Sequence, residues 1–159
     1  MTEIRAVRED DWRAMRDIRL EALREAPAAF GSTYAREVAF TEADWRRRAG
    51  GYGFFAFLPD LGDLPVGLAG GIDEGAGAAE LVSMWVRPQA RGRKVGAALV
   101  TAVVDWARGR GLSRLNLWVT DGNQAARALY ERCGFTPAGE RQPLPSDPAQ
   151  TEFRMMLSL

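Results

Sequence analysis

The chain has 159 residues, of which 47% are hydrophobic and 26% charged, a composition typical of a globular domain that buries a sizeable core. Its 21 basic and 21 acidic residues give a formal net charge of zero, which argues against a general nucleic-acid-binding surface and restricts any anion chemistry to local sites. The absence of histidine excludes Ser-His and Cys-His catalysis and most zinc sites, so we expect no metal.

The single cysteine and the hydropathy pattern bear on where the protein works. Cys133 has no partner for an internal disulfide, which favours a reducing environment. No signal-like N-terminus is evident, and no apolar run approaches the roughly 20 residues of a membrane span. We therefore expect a cytoplasmic protein without a membrane partner. Cys133 lies on the inward face of its predicted helix, where a buried thiol is usually inert, so it is a poor candidate for a nucleophile.

The first third of the chain predicts one strand and two helices. Residues 3–7 form the strand, and acids at residues 9–11 begin a helix that ends before Pro27. Residues 28–34 have no clear period and read as a loop. A second, shorter helix is predicted to begin after Thr41.

The remainder predicts strands alternating with two further helices. The predicted strands cover residues 54–58, 65–72, 80–86 and 114–119, one that begins at Phe135, and residues 152–157. The helices cover the apolar repeat from Val95 to Trp106 and residues 122–133. Residues 141–150 hold three prolines and are predicted to be a long loop. The order βααβββαβαββ predicts one α/β domain over residues 1–159, a mixed sheet with helices on both faces and strands 80–86 and 114–119 parallel.

Residues 80–110 form the segment around which the chain is organised. A buried strand ends at Pro88, and a loop with three cations follows before the helix that begins near Val95. No Ser, Thr, Asp or Asn caps this helix, so its first N–H groups lack partners. The N–H groups, the positive end of the helix dipole and the cations Arg91, Arg93 and Lys94 predict an anion site, best suited to a phosphate.

Two motifs carry a resemblance to the GNAT superfamily of N-acetyltransferases. The first is Arg91-Gly92-Arg93-Lys94-Val95-Gly96, which fits the family's Gln/Arg-x-x-Gly-x-Gly/Ala loop except that Lys94 stands at a glycine position. Sliding the pattern to residues 93–98 also satisfies it, but the spacing from the end of the strand favours the first register. The second is Asn123-x-x-Ala126-x-x-x-Tyr130-x-x-x-Gly134-Phe135, which fits completely.

The resemblance implies a GNAT-like, mostly antiparallel sheet of about seven strands, with acetyl-coenzyme A as co-substrate and an amine as acceptor of direct acetyl transfer. It also implies that strand 80–86 parts from its parallel neighbour near Val86, where the backbone would pair with the pantetheine arm. The Val86 N–H is then the candidate donor to the thioester oxygen. The cofactor-binding residues implied are Met84, Trp85, Val86, Arg91, Gly92, Arg93, Lys94, Val95, Gly96, Ala97, Asn123 and Arg127, and Arg132 is a further candidate for the phosphates.

The resemblance assigns Tyr130 as the general acid that protonates the leaving thiolate, since a phenol with a pKa of about 10 can donate to a thiolate whose acid has a pKa of about 8.5. An ordinary core tyrosine would fit the same helical position. Asn123 has a similar alternative, because a simple N-cap would look the same.

The resemblance also makes Glu80 the candidate general base, because acids in this strand act as the base in parts of the family. A solvated glutamate at a strand end is the alternative. In an unbroken strand, Glu80, Val82, Met84 and Val86 share one face. Phe30, Tyr34 and Arg19 are candidate acceptor-binding residues because the N-terminal region shapes substrate choice in similar proteins. Packing or surface roles are the alternative for each.

The sequence is compatible with two other functions. One is a non-catalytic module that senses acyl-coenzyme A, favoured by Lys94 at the glycine position. Another is acetylation of a protein, at a lysine or an N-terminus. The loop at 141–150 and the closing strand could also mediate a homodimer.

Overall fold

A seven-stranded sheet runs through the computed structural model, which describes residues 1–159. The strands are β1 (Glu3–Ala6), β2 (Tyr52–Phe57), β3 (Gly67–Gly75), β4 (Ala78–Val86), β5 (Arg114–Thr120), β6 (Thr136–Leu144) and β7 (Asp147–Ser158). Their order across the sheet is β1-β2-β3-β4-β5-β7-β6. Only β4 and β5 are parallel, and every other neighbouring pair is antiparallel. The predicted mixed sheet and its parallel pair are confirmed.

Helices cover both faces of the sheet, as predicted. They are α1 (Trp12–Glu25), α2 (Tyr34–Glu37), α3 (Glu42–Ala49), α4 (Val95–Gly109) and α5 (Gln124–Arg132). Helices α1 and α3 pack on one face in a core with Phe55, Leu68 and Trp85. Helix α4 packs on the other face in a larger core, to which α5 also contributes.

The predicted N-terminus of α3 is confirmed in detail. The Thr41 hydroxyl accepts from the Asp44 N–H at 3.2 Å, and the Asp44 carboxylate accepts from the Thr41 N–H at 2.9 Å. Helix α2 was not predicted. It is a single four-residue turn at the end of the aperiodic segment, capped by the Thr33 side chain, and it is too short for periodicity to detect.

The prediction of a long loop at 141–150 is wrong. Strand β6 extends to Leu144, and β7 begins at Asp147, so this segment is a hairpin. Pro143 is compatible with the hairpin because β6 lies at the edge of the sheet, and Pro145 lies in the turn. Pro148, near the start of β7, is not among the residues paired with β5 or β6.

Strands β4 and β5 part earlier than expected. Their register pairs Ala78 with Arg114 and ends with Glu80 opposite Asn116. The separation therefore begins just beyond Glu80, which corrects the expected position near Val86. From this point β4 pairs only with β3, and its other edge is open.

A β-bulge at Ser83 corrects the predicted alternation of β4. The register with β3 shifts between Leu68 and Gly70, and Ser83 has a φ of +60°. Before the bulge, Leu81 faces the α4 side, whereas beyond it Trp85 lies in the α1 core. Glu80 and Met84 therefore do not share a face.

Candidate functional site

The loop before α4 is shaped as an anion cradle. Gly92 and Lys94 both have positive φ, +79° and +65°, so Lys94 adopts the left-handed conformation that favours glycine. Helix α4 has no side-chain cap. No backbone N–H from Gly92 to Ala97 donates a hydrogen bond within the chain, as the first helical bond in this region runs from Ala98 to the Lys94 carbonyl at 3.2 Å. These free donors suit a phosphate or another anion.

A cavity of about 550 Å³ opens beside this loop, and we call it the loop cavity. It is lined by most of the residues predicted to bind the cofactor, namely Met84, Trp85, Val86, Arg91, Gly92, Lys94, Val95, Gly96, Ala97 and Asn123. Arg132 and Glu25 also line it. The Asn123 side chain accepts from the Ala126 N–H at 3.2 Å, so the N-cap interpretation of this residue is confirmed.

Two predicted cofactor residues direct their side chains elsewhere. Arg93 forms a bidentate pair with Asp60, with both N–O distances 2.9 Å. Arg127 pairs with Glu131 at 2.9 Å and lies over the Phe153 ring. Neither lines the loop cavity, so Arg93 contributes to the cradle only through its backbone.

The backbone of Val86 faces the open edge of β4. The Arg87 N–H donates to the Val66 carbonyl at 2.7 Å, which makes the neighbouring Gly67–Val86 pair a non-hydrogen-bonded one. The N–H and C=O of Val86 therefore point away from β3. The carbonyl accepts from Nε of Arg91 at 3.0 Å.

Glu25 connects α1 to the open edge of β4 through side-chain hydrogen bonds. Its carboxylate accepts from the Trp85 indole N–H at 2.9 Å and from the Arg91 guanidinium. These hydrogen bonds, the indole contact foremost, hold the pKa of Glu25 below its usual value despite partial burial. Arg91 is thereby held along the loop cavity by one carboxylate and one carbonyl.

A second cavity, of about 480 Å³, lies against the sheet and shares Ala29 and Met84 with the loop cavity. We call it the carboxylate cavity after Glu80 and Glu152, which line it. The predicted residues Tyr130, Phe30 and Arg19 also line it, together with Arg36, Arg48, Ser83, Trp118 and Gln142. The candidate acid and the candidate base thus face one space.

Tyr130 is buried, with 6% of its surface exposed, and its ring packs edge-on against Phe135 at 5.8 Å. Its hydroxyl makes no hydrogen bond within the chain and is not among the fully buried unpaired polar atoms. Burial, with a smaller contribution from the Cys133 thiol, raises the pKa of Tyr130 well above its ordinary value. The phenol is therefore a proton donor and not a base at neutral pH.

The two carboxylates of this cavity are both harder to ionise than in water. Burial, followed by the charge of Glu74, raises the pKa of Glu80, and Arg154 opposes this only in part. Burial also raises the pKa of Glu152, against a hydrogen bond from the Gln142 amide at 3.1 Å. Sequence reasoning missed Glu152, because nothing in the sequence indicated that β7 inserts between β5 and β6.

Two of the predicted acceptor residues are committed to other contacts. Arg19 is 5% exposed and donates to Glu37 through Nε at 3.0 Å and Nη2 at 2.9 Å. Tyr34 packs at the α1 core under the Arg24 guanidinium and lines neither cavity. Phe30 lines the carboxylate cavity, but it is also buried in the α1 core, with the Arg19 guanidinium 4.8 Å from its ring centroid.

Two further features describe the chain as a whole. No group of three or more acidic or cysteine side chains is placed to hold a metal ion. None of the helices combines the length and apolar character required to cross a membrane.

Solved acetyltransferase structures match the fold over nearly the whole chain. The acetyltransferase of the GNAT family from Streptococcus pneumoniae matches with a TM-score of 0.81 at 19% identity, over 100% of this chain and 99% of that one. The PaiA N-acetyltransferase from Thermoplasma acidophilum, solved in complex with coenzyme A, matches with a TM-score of 0.76 at 16% identity, over 100% and 99%.

Curated relatives match over shorter segments. The mycothiol acetyltransferase of Beutenbergia cavernae is 45% identical over 62 residues, which are 39% of this chain and 21% of that protein. The IAA acetyltransferase of Azospirillum brasilense is 42% identical over 78 residues, 48% of this chain and 50% of that protein. The chain thus aligns with between a fifth and a half of these relatives' lengths. The model of the acetyltransferase (GNAT) family, however, matches residues 12–135, most of the chain, and the chain belongs to this family.

Proposed function

We propose that the protein transfers an acetyl group from acetyl-coenzyme A directly to an amine. The observation that supports this most strongly is the meeting of the two cavities at Met84, beside the open edge of β4. The loop cavity adjoins the anion cradle, and the carboxylate cavity holds the candidate acid Tyr130 and the carboxylates of Glu80 and Glu152. Acetyl-coenzyme A, when bound, supplies the activated acetyl thioester.

The loop cavity suits coenzyme A in three respects. The free N–H groups from Gly92 to Ala97 can cradle a pyrophosphate, and the cations of Arg91, Lys94 and Arg132 lie at the same cavity. The open edge of β4 can pair with the pantetheine amides as a further strand would. The N–H of Val86, directed away from β3, is positioned to donate to the thioester oxygen.

Tyr130 acts in this mechanism as the general acid. When the amine attacks the thioester carbon, the C–N bond forms and the C–S bond breaks, so the thiolate that leaves needs a proton. The Tyr130 hydroxyl has no partner within the chain and its raised pKa keeps it protonated, so it can supply that proton.

Glu80 acts as the base that takes a proton from the acceptor amine, and Glu152 lies at the same cavity. A carboxylate with a raised pKa is a stronger base than a solvated one, provided that it is ionised at the working pH. Two carboxylates facing the cavity also favour a cationic amine as ligand.

The test combines binding with turnover. Binding of acetyl-coenzyme A is measured by calorimetry, and free-thiol release is then followed with a panel of small amines, lysine peptides and peptide N-termini. Turnover with at least one amine, dependent on Tyr130, supports the proposal. Binding without turnover across the panel would favour the non-catalytic sensor, and no binding at all would overturn the assignment.

A further inference from the structure

Three arginines from three different helices converge on the carboxylate cavity. Arg19 comes from α1, Arg36 from α2 and Arg48 from α3, and all three line the cavity. We call them the arginine cluster. Their one carboxylate partner is Glu37, which is 1% exposed and accepts from both Arg19 and Arg48.

The arginine cluster carries more positive charge than Glu37 can balance. Arg36 forms no ion pair, and its guanidinium contacts only the Ser32 hydroxyl at 3.2 Å and the face of the Phe40 ring at 5.5 Å. Burial, followed by the nearby charge of Arg19, lowers the pKa of Arg48, and Arg36 adds to this effect. Arg19 and Arg48 surround the buried Glu37 carboxylate, and the exposed Arg36 has no counter-charge, so the cluster keeps a net positive charge.

The sheet side of the same cavity carries the opposite charge. Glu80 and Glu152 line it, and no ion pair connects either carboxylate to the arginine cluster. The cavity is therefore polarised, with guanidinium groups on the helices and carboxylates on the strands. Its volume of about 480 Å³ lies in the range of small-molecule sites.

From this polarity, and resting on the proposed acetyltransferase function, we propose that the acceptor is a small molecule with an anionic group, a carboxylate or a phosphate, in addition to its amine. Arg36 and Arg48 bind the anion while the amine lies at Glu80 and Tyr130. Arg36 suits this role because it is the member of the cluster without a carboxylate partner. Guanidinium groups bind carboxylates and phosphates in a bidentate manner, which fixes orientation as well as charge.

The experiment compares matched acceptors. A series of ω-amino carboxylic acids of increasing length is assayed beside the corresponding ω-amino amides, which keep size and amine but lose the anion, and beside ω-aminoalkyl phosphates. Both kcat/KM for thiol release and the Kd from calorimetry are measured. At least one anionic member should exceed its neutral counterpart by about tenfold, and the carboxylate and phosphate arms distinguish the two anions.

Variants of two neighbouring arginines test whether Arg36 is responsible for the preference for anionic acceptors. Arg36→Gln should reduce the ratio of kcat/KM for the anionic acceptor to kcat/KM for its neutral counterpart towards one, mainly by raising KM for the anionic acceptor. Arg47→Gln is the matched control, because Arg47 pairs with Asp44 at 3.3 Å and does not line the carboxylate cavity. Arg48→Gln is less suitable, since it also removes a partner of buried Glu37.

The possible failures can be told apart. If amides are acetylated or bound as well as the acids and phosphates, the anionic acceptor is overturned while the acetyltransferase stands. If the preference persists in Arg36→Gln, the assignment of the anion to Arg36 is overturned. If no amine is acetylated, the proposed function fails, and the calorimetric comparison still decides the inference. Absence of binding by every anionic member overturns it as well.

Discussion

Glu80 and Asn116 are the last residues to pair β4 with β5, and the residues of β4 that follow line both cavities. Beyond Glu80, one edge of β4 has no neighbouring strand, while the other edge remains paired with β3. An unpaired strand edge inside a fold needs other partners for its N–H and C=O groups. A ligand with its own amides can supply them, and this links the register of the sheet to the proposed reaction.

Tyr130→Phe should lower kcat for thiol release by about 10²- to 10⁴-fold, the usual contribution of a general acid. The fold should be almost unaffected, because the ring keeps its contact with Phe135 and the hydroxyl has no partner to lose. Since the pKa of Tyr130 is raised, wild-type activity should show no alkaline loss from this group up to about pH 10. Rates are followed by thiol detection across the pH series.

Tyr52→Phe is the matched control for this prediction. Tyr52 is 47% exposed, stacks with Trp106 and lines neither cavity. Equal rates for Tyr130→Phe and wild type at every pH would rule out Tyr130 as the acid and leave it as a core residue.

Glu80→Gln should lower kcat/KM at neutral pH by about 10²-fold while raising the free energy of unfolding. Burial raises the folded pKa of Glu80 above its unfolded value, so the folded state favours the protonated form. The stability that this group contributes is fully present below the unfolded pKa and is lost as pH rises through the folded pKa. The ionised carboxylate is therefore destabilising at neutral pH, and an uncharged amide relieves that cost.

The pH profile provides a second measurement for Glu80. The wild type should lose activity on the acid side with an apparent pKa above the ordinary glutamate value, and Glu80→Gln should lack this limb. Glu3→Gln, at an exposed position of β1, is the control. An unchanged acid limb in Glu80→Gln, together with its loss in Glu152→Gln, would transfer the role of base to Glu152.

Lys94→Gly should weaken binding of acetyl-coenzyme A by about two- to fivefold, because it removes an ammonium group from the loop cavity. Stability should change little. The left-handed conformation of Lys94 costs about 1 kcal/mol, but glycine adds a comparable entropy to the unfolded chain. Calorimetry at two salt concentrations measures the effect, which should shrink at higher ionic strength.

A second variant separates charge from backbone shape at this position. Lys94→Gln loses the ammonium group but keeps the left-handed strain, so it should weaken binding as much as glycine does. Tighter binding by Lys94→Gly than by wild type would mean that loop shape, and not the ammonium, limits affinity.

The sequence predicted the anion cradle because its signals are local. The change from strand to helix period, the missing cap of α4 and the Asn123–Tyr130 helix all lie within short segments, and the parallel pairing of β4 and β5 followed from the handedness of the crossover. The cradle itself formed as expected, with Lys94 accepting the glycine-like conformation.

The acceptor side was less predictable because it depends on contacts between distant segments. The Ser83 bulge reverses the alternation of β4, and no turn residue indicates it. Glu152 reaches the cavity only because β7 lies between β5 and β6. The commitment of Arg19 to Glu37 depends on a helix of one turn that periodicity cannot detect. Charge pairing across helices is set by tertiary packing, which a single sequence does not display.

Glu37→Gln should lower the free energy of unfolding by about 3–5 kcal/mol at neutral pH, because it leaves the guanidinium groups of Arg19 and Arg48 without their counter-charge in a buried place. Burial opposes ionisation of Glu37, but the hydrogen bond and charge of Arg19, then a hydrogen bond with Ser32 and the charge of Arg48, prevail and lower its pKa from 4.5 to about 2. Because the folded pKa is depressed, this stability is present above the ordinary pKa and is lost as pH falls towards 2. Urea unfolding between neutral and acid pH should therefore show the free energies of unfolding of wild type and Glu37→Gln converging.

The control is Glu42→Gln, which breaks only an exposed pair with Arg46 and should change the free energy of unfolding by about 0.5 kcal/mol or less. A loss for Glu37→Gln no larger than that of this control would show that the arginine cluster does not need Glu37 to remain buried.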